Sequence, residues 1–112
     1  MNVFHIEIQN HLVTKDVNNF FDEVKTCVQL YAKKNHDYGN SFVKGCNDIG
    51  PSYAIGRLYD KMNRLITLSN IDSVVKEESF EDTLRDMACY SLMYLAYLKD
   101  KKEDDNDPTY GI

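Results

Sequence analysis

A chain of 112 residues can hold one hydrophobic core and is too short for two independent ones. Its composition, 43% hydrophobic and 28% charged, is that of an ordinary globular protein, while a formal net charge of −5 argues against direct nucleic-acid binding, which draws its affinity from Lys and Arg on phosphates. No apolar run nears the ~20 residues that span a bilayer, and residues 1–11 lack the basic stretch and long apolar core of a signal peptide, so a cytoplasmic location and no membrane partner are expected.

In chain order, Phe4, Ile6 and Ile8 alternate with His5 and Glu7, which predicts a short extended arm over residues 1–13. A helix is predicted from Thr14 or Asp16, either of which can cap it, with Val17, Phe20, Phe21, Val24, Val28 and Tyr31 as its apolar stripe. It should stop near Lys33-Lys34-Asn35-His36, with Gly39 as terminator. A loop is expected from Asp37 to Gly50, rich in turn formers but carrying Tyr38, Phe42 and Val43, which marks it as packed or functional. Pro51 opens a second helix that ends at Asn70 and Asp72. Its apolar face is Ile55, Leu58, Tyr59, Met62, Leu65 and Ile66, and Arg57, Asp60, Lys61 and Arg64 lie opposite.

A third helix is predicted from Ser79, with Asp82 completing a variant of the capping box. Phe80, Leu84, Met87, Ala88, Ser91, Leu92, Leu95 and Leu98 make one face. The other carries Asp82 and Asp86, then Cys89, Tyr90, Met93 and Tyr97. A helix apolar nearly all round is buried on more than one side, and three long helices hardly suffice for that, so a homo-oligomer, dimer or larger, is expected. Residues 101–112 read as an acidic, flexible tail. The expected fold is all-α: three long helices over residues 14–100 plus the arm, in a bundle completed by oligomerisation. Cys27, Cys46 and Cys89 are odd in number and widely spaced, which suits buried free thiols better than a disulfide framework or a zinc site.

Three clusters can carry chemistry. Glu78, Asp82 and Asp86 recur every four residues, where like charges repel along a helix. Glu81 and Asp82 are accounted for by the helix dipole and by Arg85 one turn on. Asp86 is not, and wants either a Lys or Arg from the second helix or a divalent metal. Arg57, Lys61 and Arg64 form a basic stripe that is either merely solvated or, facing the acids, a clamp for a metal-bound di- or triphosphate. The run from Lys33 to Phe42 mixes cations, amides and aromatics that suit a phosphate and a base, or else simply answers a helix C-terminus.

The runs Lys34-Asn35-His36-Asp37-Tyr38-Gly39-Asn40-Ser41-Phe42, Gly56-Arg57-Leu58-Tyr59-Asp60-Lys61-Met62-Asn63-Arg64-Leu65 and Glu78-Ser79-Phe80-Glu81-Asp82-Thr83-Leu84-Arg85-Asp86-Met87-Ala88-Cys89-Tyr90 together resemble the phage nucleotide-modification-associated domain of type 1, over about residues 17–98. More distantly, the acid-led helix is similar to the all-alpha nucleoside triphosphate pyrophosphohydrolases of the MazG and dimeric dUTPase kind. Those use Mg²⁺, a Glu-x-x-Glu on one helix and a Glu-x-x-Asp on a later one. Glu78 with Glu81 or Asp82, plus Asp86, match the second half, whereas the first is missing and the second helix offers only Asp60.

The resemblance implies a phage nucleotide-handling protein of the host cytoplasm, Mg²⁺-dependent and cleaving a nucleoside triphosphate. Glu78, Asp82 and Asp86 would hold the ion, and Asp60 or Glu81 would orient water. Arg57, Lys61 and Arg64 would clamp phosphates, while Lys34, His36, Asp37, Tyr38, Asn40 and Phe42 would take the rest of the nucleotide. Few carboxylates among many cations favour a different class, a binder that sequesters a linear or cyclic nucleotide signal without cutting it. An adaptor bundle in a DNA-modification complex is the third reading.

Overall fold

The structure is a computed structural model that describes residues 6–38, 40–70 and 74–105, with the side chains of 36–38, 74–78 and 104–105 outside the description. Among the described residues it is all-helical: a short 3-10 turn at Asn10–Leu12, then α1 (Lys15–Tyr38), α2 (Ser41–Ile49), α3 (Pro51–Ser69) and α4 (Val74–Asp105). The expected strand pattern does not form at residues 6–9, and residues 3–5 lie outside the described part. Three alternating apolar residues with no neighbouring strand leave the backbone groups of a ladder without partners.

Helix α1 starts where its cap allows. The Thr14 hydroxyl accepts the Val17 N–H at 3.2 Å, and Asp16 sits in the first turn against the positive end of the helix. The predicted stripe is displaced at two positions: Phe20 is 73% and Tyr31 38% exposed, and Cys27 is the buried member. The ion pairs and thiol contact that tie α1 to α4 run from Glu23 to Lys34, so Phe20 lies a turn before the first of them.

Residues 41–49 are a helix rather than the expected loop. Phe42 and Cys46 are buried on one side of it, one turn apart, and that burial outweighs the turn-forming Gly45, Asn47 and Asp48. Two left-handed residues bracket it: Asn40 at φ 65° and Gly50 at φ 98°. The Gly50 N–H closes the helix on the Cys46 carbonyl at 2.9 Å, and the next residue, Pro51, opens α3 at once. Gly45 has a second duty, since a Cβ there would land in the ring of Tyr53.

Helix α3 has the predicted limits and is closed by Asn70, whose amide donates to the Ile66 carbonyl at 3.0 Å. Its orientation differs from expectation. Ala54 and Leu65 are the buried members, whereas Ile55, Tyr59, Met62 and Ile66 are 47–65% exposed. Leu65 and half-buried Leu58 of the expected apolar face are turned in, and of the basic stripe Lys61 joins them while Arg57, Asp60 and Arg64 stay exposed. Helix α4 is longer than predicted at both ends. Ser79 lies inside it, where its carbonyl accepts the Thr83 hydroxyl at 2.7 Å, instead of capping it. The run Lys101–Asp105, read as tail, continues the helix, with Lys102 favourably placed in the last turn.

The core is small: Phe42, Cys46 and Ala54, packed by half-buried Tyr53, Tyr90, Met93, Tyr94 and Tyr97. The Tyr97 hydroxyl donates to Asn47 Oδ1 at 2.8 Å and ties α4 to α2. Helices α3 and α4 run antiparallel, as Arg64 meeting Thr83 and Lys61 meeting Asp86 require. No helix of the described residues is long and apolar enough to cross a membrane.

Candidate functional site

The α1 C-terminal half, the start of α2, the first turns of α3 and the middle of α4 enclose a cavity of about 350 Å³. It falls near the lower end of the ~300–1,000 Å³ usual for small-ligand pockets. Its aromatic wall is built around Phe42. The Tyr53 ring lies 5.8 Å from Phe42 and the Tyr90 ring 5.9 Å, both tilted, and Tyr31 faces them from α1. Tilted rings at this spacing have favourable edge-to-face electrostatics and hold one another in place. Gly45 permits the arrangement by leaving room for Tyr53.

The polar side is cationic. Lys34 and Arg57 line the cavity, and the Arg57 guanidinium lies over the Tyr53 ring at 5.0 Å. Asp86 is the carboxylate of the lining. Its Oδ1 is 3.3 Å from Lys34 Nζ and its Oδ2 3.1 Å from Lys61 Nζ. This is the compensation that an acid on an apolar helix face requires, and it comes from lysines of α1 and α3. The lining thus carries two cations, Lys34 and Arg57, and one carboxylate, Asp86, which Lys61 pairs from beside the cavity, so the site is locally positive in a chain of net charge −5. Cys89 also lines it, and its thiol is pushed up to about 11, chiefly by burial and next by the neighbouring Cys27 thiol. It is no nucleophile at neutral pH.

Next to this, Arg85 joins α4 to α1. It grips Glu23 with Nε at 2.9 Å and Nη2 at 3.2 Å, and its other contacts are Asp82 at 3.4 Å and Glu81 at 3.8 Å. The Arg85 hydrogen bonds hold the Glu23 carboxyl below the usual carboxylate range. Two residues toward the start of α4, Thr83, 2% exposed, accepts the Arg64 Nε–H at 3.2 Å.

Of the residues singled out from the sequence, Lys34, Phe42, Arg57 and Asp86 therefore line one cavity, and Lys61 reaches it through Asp86. Arg64 is engaged with Thr83, and Glu81 and Asp82 with Arg85. Asn40 supplies the left-handed entry to α2, and Asp60 is exposed; neither lines the cavity. The side chains of His36, Asp37, Tyr38 and Glu78 lie outside the described residues. Sequence reasoning passed over Tyr31, Tyr53 and Tyr90 as ligand contacts. Tyr90 was findable, because it follows Asp86 by one turn on the same face. Tyr53 was hidden by the reading of residues 41–49 as a loop, without which nothing packs on it.

The sequence model of the family described as nucleotide modification associated domain 1 matches residues 34–98. That stretch begins at the first cavity lysine, covers α2 and α3 and ends within α4. Comparison with curated proteins and with solved structures finds no match. The match spans more than half of the chain, and the chain belongs to this family.

Proposed function

We propose that this member of the nucleotide modification associated domain 1 family binds a nucleotide in the α1–α4 cavity and does so without cleaving it. The observation that carries the reading is the pairing of cations, Lys34 and Lys61 on Asp86 and Arg57 over Tyr53, with an aromatic wall of Phe42, Tyr53 and Tyr90. A nucleotide has the matching halves. Its base is a flat ring that stacks on aromatic side chains, and its phosphate takes charge-assisted hydrogen bonds from ammonium and guanidinium groups. Asp86 keeps two like-charged lysines near each other before the ligand arrives. When phosphate oxygens enter, the ammonium groups turn to them.

Mg²⁺ is the cofactor that the distant pyrophosphohydrolase likeness implies; of the three acids that would hold it, the Glu78 side chain lies outside the described residues and the other two are engaged by cations. Both Asp86 oxygens face ammonium groups and Asp82 faces Arg85. Among the described residues no three His, Cys, Asp or Glu side chains gather as a metal site. A hard dication needs anionic oxygens that are free to coordinate it.

The test is a titration of the pure protein with linear and cyclic nucleotides, in Mg²⁺ and in chelator, followed by heating and chromatography of the released ligand. Binding of equal strength in both buffers, with the nucleotide returned intact, supports the reading. Monophosphate and pyrophosphate appearing only with Mg²⁺, and lost in Asp86→Asn, would establish the hydrolase instead. No binding of any nucleotide would leave the adaptor.

A further inference from the structure

The α3–α4 hairpin has two long sides, and the described residues cover only one. Toward the cavity lie Tyr53, Arg57, Asp86, Tyr90 and Met93. On the other side Ile55, Tyr59, Met62 and Ile66 of α3 are 47–65% exposed, each following a residue of the stripe Ala54, Leu58, Lys61 and Leu65, in which Lys61 meets α4. On α4, Leu84, Ala88, Ser91 and Leu95 each follow a residue of the stripe Thr83, Met87, Tyr90 and Tyr94, in which Thr83 meets Arg64 of α3. One residue onward is a turn of about 100° in the same sense on both helices. In an antiparallel pair that sets the two exposed stripes side by side. They form one largely apolar surface, with exposed Glu81, held by Arg85, at its edge.

We infer that this surface seats a second copy of the chain, giving a two-fold dimer in which two α3–α4 hairpins make a four-helix bundle. Three observations select a like copy. Both stripes step by four, three and four residues, the spacing at which helices interlock side chain by side chain. They differ in size in a complementary way. Tyr59 and Met62 are bulky at the middle of α3, whereas Ala88 and Ser91 are small at the middle of α4. The register that sets Lys61 against Asp86 also puts Tyr59 level with Ala88, so α3 of one copy finds room on α4 of the other when the two-fold axis runs along the helices. Finally, the exposed faces of six large apolar side chains, Ile55, Tyr59, Met62, Ile66, Leu84 and Leu95, reach the top of the ~300–600 Å² range of the largest patch on a typical monomer and approach the ~800 Å² per partner of a standard interface. The cavities stay open, one on each outer flank of the bundle.

Sedimentation of the full chain at about 10 μM tests this, a concentration well above the dissociation constant of a standard interface. The expected mass is twice 13.0 kDa. Met62→Glu and Ala88→Glu should return it to 13.0 kDa with helical circular dichroism retained, because both positions face solvent in the single chain. Phe20→Glu, at an exposed apolar site on α1, should leave the dimer intact. A single-chain mass for the unaltered protein, or a dimer that survives Met62→Glu, overturns the inference. Should the Glu variants lose their helical signal, Tyr59→Cys with Ala88→Cys decides. A disulfide between chains under oxidised glutathione supports the interface, and its absence overturns it.

Discussion

Lys61 Nζ of α3 lies 3.1 Å from Asp86 Oδ2 of α4, inside the basic stripe that the amphipathic pattern alone would turn to water. Both side chains are roughly a quarter exposed, so the pair is partly desolvated. Lys61→Met should cost about 1 kcal/mol of stability and lower nucleotide affinity by about tenfold, a loss of one charge-assisted phosphate contact. Asp86→Asn should leave binding intact or strengthen it by removing a competing anion. A double-mutant cycle read by denaturant unfolding should show the double variant less destabilised than the two single losses together.

Gly45 of α2 leaves the space that the Tyr53 ring of α3 occupies. Gly45→Ala should push the Tyr53 ring off Phe42, forfeiting an aromatic pair of about 0.5–1.5 kcal/mol. The same change should weaken base stacking in the cavity. Calorimetric unfolding and nucleotide titration of one variant check both. Unaltered affinity would remove Tyr53 from the site.

The Arg85–Glu23 bridge gives an acid-side dependence. Glu23 has a carboxyl pKa lowered by hydrogen bonds from Arg85. Its contribution is therefore present above the ordinary carboxylate value near 4.5 and fades as pH falls through the lower folded value. Glu23→Gln should flatten that part of the stability–pH profile and leave the neutral-to-alkaline part unchanged.

Cys89 acts on the opposite side. Its folded pKa of about 11 exceeds the unfolded value of 9.0, so its contribution is full below pH 9 and is lost as pH rises toward 11. At pH 8 its thiolate fraction is lower than that of a free cysteine by roughly two orders of magnitude, and alkylation of the folded protein at Cys89 should be slowed to match. Rapid labelling at pH 8 without unfolding would show the thiol to be more open than this.

Thr83 is the one buried polar residue among those described, and its hydroxyl joins Ser79 and Arg64. Thr83→Val keeps the volume and loses both bonds. A cost of about 1 kcal/mol in chemical unfolding is expected.

The limits of α3 were legible because a proline at one end and an asparagine at the other are strong local signals. Which side of α3 faces inward was legible only in part: of the expected apolar face, Leu58 and Leu65 are turned in and Ile55, Tyr59, Met62 and Ile66 are not. The stripes Ala54–Leu58–Lys61–Leu65 and Ile55–Tyr59–Met62–Ile66 are offset by one residue, and hydrophobicity alone prefers the second. What decides is Asp86 on a different helix, which draws Lys61 inward by its ammonium while the lysine stem packs like an apolar chain. The expectation that Asp86 needs a partner cation was sound, since a lone acid on an apolar face is a local signal. Helix α2 escaped notice because Gly45, Asn47 and Asp48 read as turn residues, and their helical state depends on the burial of Phe42 and Cys46 against α3 and α4.

The cavity draws Lys34 from α1, Phe42 from α2, Arg57 from α3 and Asp86 from α4, so it exists only while all four helices are docked. Whatever fills it is thereby linked to the whole folding equilibrium. By mass action, a ligand at a hundred times its dissociation constant adds about 2.7 kcal/mol to the native state. Against so small a core that increment is large, and the melting temperature becomes a direct gauge of occupancy.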